Sequence, residues 1–358
     1  MAFCTLSVTK LKNNFLLMHD LCSKNGASLN LVTKFCLSNP EILHIFTEEK
    51  NATFATVSDS NMENFLLLPE SVCENHALCL IKTRLSDIKR LADIPPYARP
   101  SRILVSDEPL LDAVEELPVD IRPSVVLVAE TGDLKDGIPV NQILPIVRRH
   151  PECPIIGVSV NFSCLSGLLP DKATVELLAD VASQIKDLKG LSSPFLSVGG
   201  TVIHTLLESG EINGLVQEVR CGEGIFFGYD SSGGVALQGF ESGALTLHGE
   251  ILEVRGKDTS INKELTAGHT ATGSLAARLC GFRKRAVLDF GILAARSEDL
   301  RALDSALHFA GQTFDFTVVD VTDSSENYQA GGSIPFELNY ASASFVMMNR
   351  YIPVQITQ

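Results

Sequence analysis

The sequence has few basic residues, no long apolar run and no paired-cysteine motif, and each absence excludes a class of protein. Its 358 residues contain 29 lysines and arginines against 43 acidic residues, a formal net charge of -14. This charge opposes the basic surface of proteins that bind nucleic acids or anionic membranes. No stretch reaches the roughly 18 apolar residues of a membrane span, and the N-terminus lacks the apolar core of a signal peptide. We therefore expect a cytoplasmic protein with no nucleic-acid or membrane partner.

The nine cysteines are scattered, and none belongs to a CxxC pair. Neither a disulfide framework nor a zinc site is predicted, and most of these thiols are expected to be buried apolar groups. Hydrophobic residues make up 45% of the chain and charged residues 20%, which is typical of an ordinary globular protein. The length favours two domains, or one barrel with an appendage.

Residues 10–235 alternate short apolar runs with stretches of helical periodicity, as expected for parallel strands joined by crossover helices. A first helix is predicted from Leu11, Phe15, Met18 and Cys22, which share one face. Eight strands follow, the number that closes a (β/α)8 TIM-type barrel. They are predicted at residues 28–33, 53–57, 77–81, 102–106, 124–130, 154–160, 195–198 and 215–219.

Beyond Gly233 the pattern changes to alternation every two residues, which is typical of half-buried antiparallel strands. Alternate residues such as Phe314, Phe316 and Val318 are expected to face one way. The strands are predicted at residues 244–254, 284–292, 313–321 and 333–340. The fold prediction is an α/β barrel over residues 10–235, followed by a mainly antiparallel β domain over 236–358 with which residues 1–9 associate.

Lys34 directly follows the first predicted strand of the barrel. In a (β/α)8 barrel the chemistry lies at the carboxyl ends of the strands, so a reactive amine would belong at this place. The alternative is a solvated lysine at a strand end. Position alone favours the second reading.

Two glycine-rich turns follow later strands. In SVGGTVIH (197–204), backbone N–H groups and the Thr201 hydroxyl could bind a phosphate, although a tight strand–helix turn explains the pattern equally well. In EVRCGEGIFFGYD (218–230), Arg220 lies at another strand end. Its simplest explanation is an internal salt bridge with Glu223.

The segments that carry these residues occur in an order that resembles the alanine/ornithine racemase family of pyridoxal-phosphate enzymes, the fold-type III group typified by alanine racemase. The resemblance runs from about residue 5 to residue 354. It depends on the order of VTKFCLSNPEI, AETGDLKDGI, GVSVNFSCLSGLLPD, SVGGTVIHTLLESGEI, VRCGEGIFFGYDS, FRKRAVLDFG, VVDVTDS and IPFELNYAS. It implies an amino acid racemase that interconverts the L- and D-forms of a free amino acid by exchange of the Cα proton. Pyridoxal 5'-phosphate would be the cofactor, and a head-to-tail homodimer is expected.

The resemblance also assigns roles to individual residues. Lys34 would attach the cofactor and then act as the base on one face of the substrate. Arg220 would face the pyridine nitrogen, and Asn161 would pack beside the ring. The phosphate-binding turn corresponds to Gly199, Gly200 and Thr201. Cys164, in the same motif as Asn161, is expected to be structural.

Three positions depart from the arginine that is usual in the family. Lys135 stands at one of them and is still expected to contact the cofactor. Lys82 and Asn61 stand at the others. A lysine keeps the charge of an arginine but loses its bidentate fork, so we expect altered binding of a carboxylate or of the phenolic oxygen.

The second acid or base, on the opposite face of the cofactor, has no clear counterpart. His269 is the main candidate, because an imidazole titrates near neutral pH and because the segment 258–281 has the length of a functional loop. Cys280 and Tyr340 are others, and a solvated loop histidine is the simpler reading of His269. His204 and His248 are expected to be structural.

Two further functions stay open at this point. The same barrel and lysine would serve a pyridoxal-phosphate-dependent lyase or aldolase that acts on a D-amino acid. The unassigned second base and the three departures would also suit a non-catalytic pyridoxal-phosphate-binding homologue. No residue pattern selects ornithine over alanine, lysine or serine.

Overall fold

The computed structural model describes residues 1–230, 235–258 and 281–358, which form two compact units. One unit contains residues 11–241. The other contains residues 1–10, with strand β1 (Phe3–Ser7), together with residues 242–358. Among the helices of the described residues, none has the length and apolarity needed to cross a membrane.

The unit of residues 11–241 is built on a closed barrel of eight parallel strands, as predicted. A two-residue strand, β7 (Ile138–Pro139), pairs only with the end of β6. The barrel strands are β2 (Ser28–Val32), β3 (Thr56–Asp59), β4 (Ala77–Leu80), β5 (Arg102–Val105), β6 (Ser124–Glu130), β8 (Ile155–Asn161), β9 (Leu196–Gly199) and β10 (Glu218–Cys221). They pair in this order, and β10 closes the barrel by pairing with β2.

Two of the barrel strands lie about three residues later than the sequence pattern places them. The predicted runs at 53–57 and 215–219 become β3 and β10. The cause is visible in the core, because Phe54 and Val216 are buried although they lie in the segments that lead into these strands. Buried apolar residues in connecting segments extend an apolar run without extending the strand.

Helices lie between and around the barrel strands. The first, α1, buries the predicted face of Leu11, Phe15, Met18 and Cys22. The second, α2, begins after Asn39, whose side-chain oxygen accepts the backbone N–H of Glu41 at 2.9 Å. The helices are α1 (Val8–Lys24), α2 (Pro40–Thr47), α3 (Glu70–Asn75), α4 (Leu85–Lys89), α5 (Glu108–Glu115), α6 (Val140–Arg149), α7 (Lys172–Lys189), α8 (His204–Ser209) and α9 (Glu223–Phe227). A short hairpin, β11 (Tyr229–Asp230) with β12 (Val235–Ala236), follows α9.

The second unit is an antiparallel sheet in the order β15-β18-β13-β14-β17-β16, with β1 pairing both β13 and β19. Its elements are β13 (Leu245–Asp258), β14 (Phe282–Leu288), β15 (Leu300–Ala302), β16 (His308–Gln312), β17 (Thr317–Asp320), β18 (Ser333–Leu338), α10 (Tyr340–Met348) and β19 (Val354–Thr357). The prediction that Phe314 and Phe316 lie on a buried strand face is wrong. Both are exposed in a turn before β17, where the Thr313 hydroxyl accepts the N–H of Phe316.

Candidate active site

Lys34 begins a short 3-10 turn, Lys34–Cys36, that directly follows β2. It therefore lies at the carboxyl end of a barrel strand, where its side chain reaches solvent. The next two residues, Leu37 and Ser38, have φ angles of 55° and 51°. This left-handed conformation is costly for residues other than glycine, and such strain concentrates at functional sites.

The surroundings of Lys34 favour its neutral form. Although the side chain reaches solvent, desolvation by the surrounding protein lowers the pKa of its amine. The positive charge of Lys135 lowers this pKa further, whereas Cys164, Glu223 and Asp59 oppose the shift. Because the neutral amine is the nucleophile and the base, a lowered pKa makes Lys34 more reactive near neutral pH.

Arg220, on β10, is buried and held at three points. Its Nη1 donates to Ser197 Oγ at 2.6 Å, and its Nη2 donates to the Val160 carbonyl at 2.8 Å and to Asn161 Oδ1 at 2.9 Å. The guanidinium is therefore fixed against the carboxyl ends of β8 and β9. Desolvation lowers the pKa of Arg220, but a guanidinium stays charged in proteins.

The carboxylate that compensates Arg220 is Glu218, two residues earlier on the same strand. Ser197 Oγ accepts from Arg220 and donates to Glu218 Oε1 at 2.6 Å. Glu218 Oε2 accepts from Arg102 at 2.5 Å and from Thr56 Oγ1 at 3.0 Å. Burial alone would raise the pKa of Glu218, but the charges of Arg102 and Arg220 and the Ser197 hydrogen bond bring it below its ordinary value. Glu218 is thus an acid in the hydrogen-bond network of Arg220.

The turn after β9 brings Gly199, Gly200 and Thr201 to the same end of the barrel. Gly200 has a φ of 105°, and a Cβ atom there would lie 2.7 Å from the Phe162 carbonyl oxygen, so the position requires glycine. Thr201 Oγ1 accepts the backbone N–H of Gly224 at 3.0 Å. Thr201 Oγ1 also lies 3.8 Å from Cys221 Sγ, so its hydroxyl proton can be donated to this weak acceptor or to an anion.

Gly199, on β9, packs closely against Asn161 of β8 and Arg220 of β10. A Cβ atom on Gly199 would clash with Asn161 Oδ1 and would lie 2.5 Å from Arg220 Nη2. We expect Gly199→Ala to push these two side chains apart and lower the free energy of unfolding by about 1–3 kcal/mol. Thermal or denaturant unfolding would measure the loss. Unchanged stability would contradict this close packing at Gly199.

Of the three residues that stand where the family usually has arginine, Lys135 and Asn61 have partners in the structure. Lys135 Nζ forms an ion pair with Asp136 at 3.0 Å. Asn61 Oδ1 accepts a hydrogen bond from Arg84 Nη2 at 3.1 Å, so an arginine from another segment lies beside this position. Lys82 is exposed beyond the end of β4.

Cys164 lies on the loop after β8, which is held by a buried aspartate. Asp133 Oδ1 accepts the backbone N–H groups of Cys164 and Leu165 at 2.8 and 2.9 Å, and that of Ser166 at 3.4 Å. The Cys164 side chain is exposed and belongs to the groups that act electrostatically on Lys34. Asp133 thus fixes the backbone of this loop at Cys164. The sequence pattern does not identify Asp133.

The candidates for a second acid or base are His269, Cys280 and Tyr340. His269 and Cys280 are outside the described residues. Tyr340 begins α10 in the second unit. His204 is buried, with Nδ1 at 3.1 Å from the Thr201 carbonyl oxygen, and His248 stacks on Phe3, as side chains with structural roles do.

Comparison with known proteins gives similarity over the whole chain. No protein-family model matches. The ornithine racemase of Acetoanaerobium sticklandii is 24% identical over 362 residues, which cover 98% of each protein. The lysine racemase of Thermotoga maritima is 22% identical over 353 residues, which cover 97% of this chain and 96% of that protein.

Solved structures of alanine racemases share the fold. The enzyme of Streptomyces lavendulae superposes with a TM-score of 0.71 at 15% identity, covering 100% of this chain and 97% of the other. The alanine racemase of Bartonella henselae, solved with covalently bound pyridoxal phosphate, gives 0.69 at 12% identity and covers 99% of both chains. The barrel, the antiparallel sheet and the end-to-end similarity to two racemases agree with one another. The chain is thus similar over nearly its whole length to an ornithine racemase and a lysine racemase, and it shares the fold of alanine racemases.

Proposed function

We propose that the protein is a pyridoxal-phosphate-dependent amino acid racemase that exchanges the Cα proton of a free amino acid. The observation that carries this proposal is Lys34, a lysine with a lowered amine pKa in a strained turn at the carboxyl end of β2. Ornithine racemase and lysine racemase, the two relatives described above, are similar to this chain over nearly its full length. Both support a racemase, and neither determines the substrate.

The residues of the barrel fit pyridoxal 5'-phosphate. Lys34 would attach it, Arg220 and Asn161 would contact the ring, and Gly199, Gly200 and Thr201 would bind the phosphate. Lys135, whose charge acts on Lys34, would lie near the same group. The bound cofactor would draw electrons from an attached amino acid and so make its Cα–H acidic.

The protein groups would then control where the proton goes. The Lys34 amine, once neutral, can remove the Cα proton on one face and return it. Arg220 is a permanent cation fixed by three hydrogen bonds, so it opposes protonation of a ring nitrogen beside it. With an unprotonated ring nitrogen, the bound cofactor would withdraw electrons less strongly, which would favour return of the proton to Cα over transamination.

A screen of enantiomers tests the proposal. The purified chain, supplied with pyridoxal phosphate, is incubated separately with the L- and D-forms of ornithine, lysine, alanine and serine. For at least one amino acid, chiral chromatography should show the D-form produced from the L-form and the L-form produced from the D-form. Cleavage of the Cα–Cβ bond would favour a lyase or aldolase instead, and cofactor binding without any conversion would favour a non-catalytic homologue.

Two expectations drawn from the resemblance belong with this proposal. A head-to-tail homodimer would allow the β domain of the partner subunit to contribute the second acid or base. Sedimentation equilibrium would give the number of subunits. A cytoplasmic location suits an enzyme of this kind, and cell fractionation would test it.

A further inference from the structure

The strained turn after Lys34 is attached to a buried carboxylate. Ser38 Oγ donates to Asp59 Oδ2 at 2.7 Å and lies 2.8 Å from Thr33 Oγ1. The Ser38 N–H also donates to the Thr33 carbonyl at 3.3 Å. Because Leu37 and Ser38 are both left-handed, these bonds hold a backbone conformation that the residue types themselves disfavour.

Asp59 is fully buried at the end of β3 and receives hydrogen bonds on both oxygens. Its Oδ1 accepts the backbone N–H of Asn61 at 3.0 Å and the side-chain amide of Asn64 at 2.9 Å. With Ser38 on Oδ2, Asp59 has three neutral donors around it, which is the arrangement an ionised carboxylate requires. Burial raises the pKa of Asp59, and the three hydrogen bonds oppose that rise. A buried charge held by neutral donors is costly, which calls for a functional reason.

The Lys34 amine supplies such a reason. The groups that act on it include Asp59, Glu223, Cys164 and Lys135, and Asp59 is also bonded to the turn carrying Lys34. A negative charge nearby stabilises the protonated amine. When Lys34 accepts a proton from substrate, the ammonium that forms would be stabilised by Asp59.

We propose that Asp59 is a positioning residue for Lys34, fixing its turn through Ser38 and, as a carboxylate bonded to that turn, stabilising the protonated amine. The inference deepens the proposed function, since it gives a charge partner to the residue assigned there as the base. Its two parts, the tether and the charge, can be separated by two substitutions.

Asp59→Asn removes the charge and keeps the hydrogen bonds. The amide oxygen of the new side chain would accept from Asn61 and Asn64, and its amide nitrogen would donate to Ser38 Oγ. Ser38 would then donate to Thr33 Oγ1, whose own proton goes to the Ser58 carbonyl, 3.2 Å away in the structure. Ser38→Ala does the opposite, because it keeps the charge and removes the tether.

The experiment measures the Lys34 amine directly and needs no turnover. The full-length chain is treated with hydroxylamine to release any aldehyde, and competitive acetylation by acetic anhydride is followed at Lys34 by peptide mass spectrometry across a range of pH. We expect Asp59→Asn to lower the pH midpoint of Lys34 acetylation by about half a pH unit or more. Asp120→Asn, which removes an exposed carboxylate from the loop before β6, should leave the midpoint unchanged.

Hydrogen–deuterium exchange of the peptide that contains residues 34–39 reports the tether. Ser38→Ala should accelerate exchange there, whereas Asp59→Asn should leave it close to the wild-type rate. An unchanged acetylation midpoint in Asp59→Asn, or unchanged exchange in Ser38→Ala, would overturn the proposal. Neither measurement uses cofactor or amino acid, so failure of the racemase assay would contradict the proposed function and leave these results valid.

Discussion

Replacing Lys34 by alanine is expected to reduce amino acid racemisation by about 10³-fold or more. The substitution would remove the amine that we propose both attaches the cofactor and exchanges the Cα proton. The side chain reaches solvent, so its loss should not disturb the core. Steady-state rates in both directions, with circular dichroism as a check on folding, measure the effect.

The pH dependence of the wild-type rate gives a second view of Lys34. Only the neutral amine removes a proton, so the rate should rise with pH through the pKa of Lys34. Because desolvation lowers that pKa from 10.5, the rise should occur below the pH expected of an ordinary lysine.

Lys186→Ala, on α7, is the matched control for Lys34→Ala and should keep full activity. Retained racemisation in Lys34→Ala would contradict the assignment of the base.

Glu218→Gln is expected to be the most destabilising single change in the barrel, lowering the free energy of unfolding by about 3–5 kcal/mol at neutral pH. Without the carboxylate, Arg102 and Arg220 are left as buried or half-buried cations on one network. The amide cannot replace it, because its single oxygen can accept from Ser197 or from Arg102 and Thr56, and its NH2 group would face donors at the other position. Denaturant unfolding monitored by circular dichroism measures the loss.

The loss of stability caused by Glu218→Gln should depend on pH. The pKa of Glu218 is lowered in the folded protein, so its stabilising effect is present above its ordinary value of 4.5 and is lost as pH falls through the folded value. The difference between wild type and Glu218→Gln should therefore shrink on acidification. Glu253→Gln, at an exposed pair with Lys257, should cause no measurable change. Equal stability of Glu218→Gln and wild type would contradict the role of this ion network.

The sequence predicts the barrel well because its strands are apolar runs with helical segments between them. The run at 124–130 coincides with β6, and the runs at 28–33 and 102–106 each end one residue beyond the strand. The pattern misplaces β3 and β10 for the reason already given, the buried Phe54 and Val216 of the preceding segments. Apolar residues indicate burial, and buried residues also occur in the segments next to a strand, so hydropathy alone does not give the strand's ends.

The buried charges could not be predicted in the same way. Asp59 and Glu218 both belong to strands; in the sequence Asp59 falls just beyond the predicted run 53–57, whereas Glu218 lies inside the predicted run 215–219. Their function follows from neighbours distant in the chain, such as Ser38 for Asp59 and Arg102 for Glu218. A single sequence gives no measure of these distances. The position of Arg220 after an apolar run was predictable, whereas its three acceptors were not.

The proton exchange itself provides the most direct test of the central claim. The protein, pyridoxal phosphate and L-ornithine are incubated in heavy water, and the product is separated by chiral chromatography and examined by proton NMR and mass spectrometry. Lysine and alanine are tested in the same way. We predict that at least one of these amino acids yields its D-enantiomer with deuterium at Cα, formed by wild type and not by Lys34→Ala. Recovery of all these amino acids with protium at Cα, from protein shown to hold the cofactor on Lys34, would contradict it.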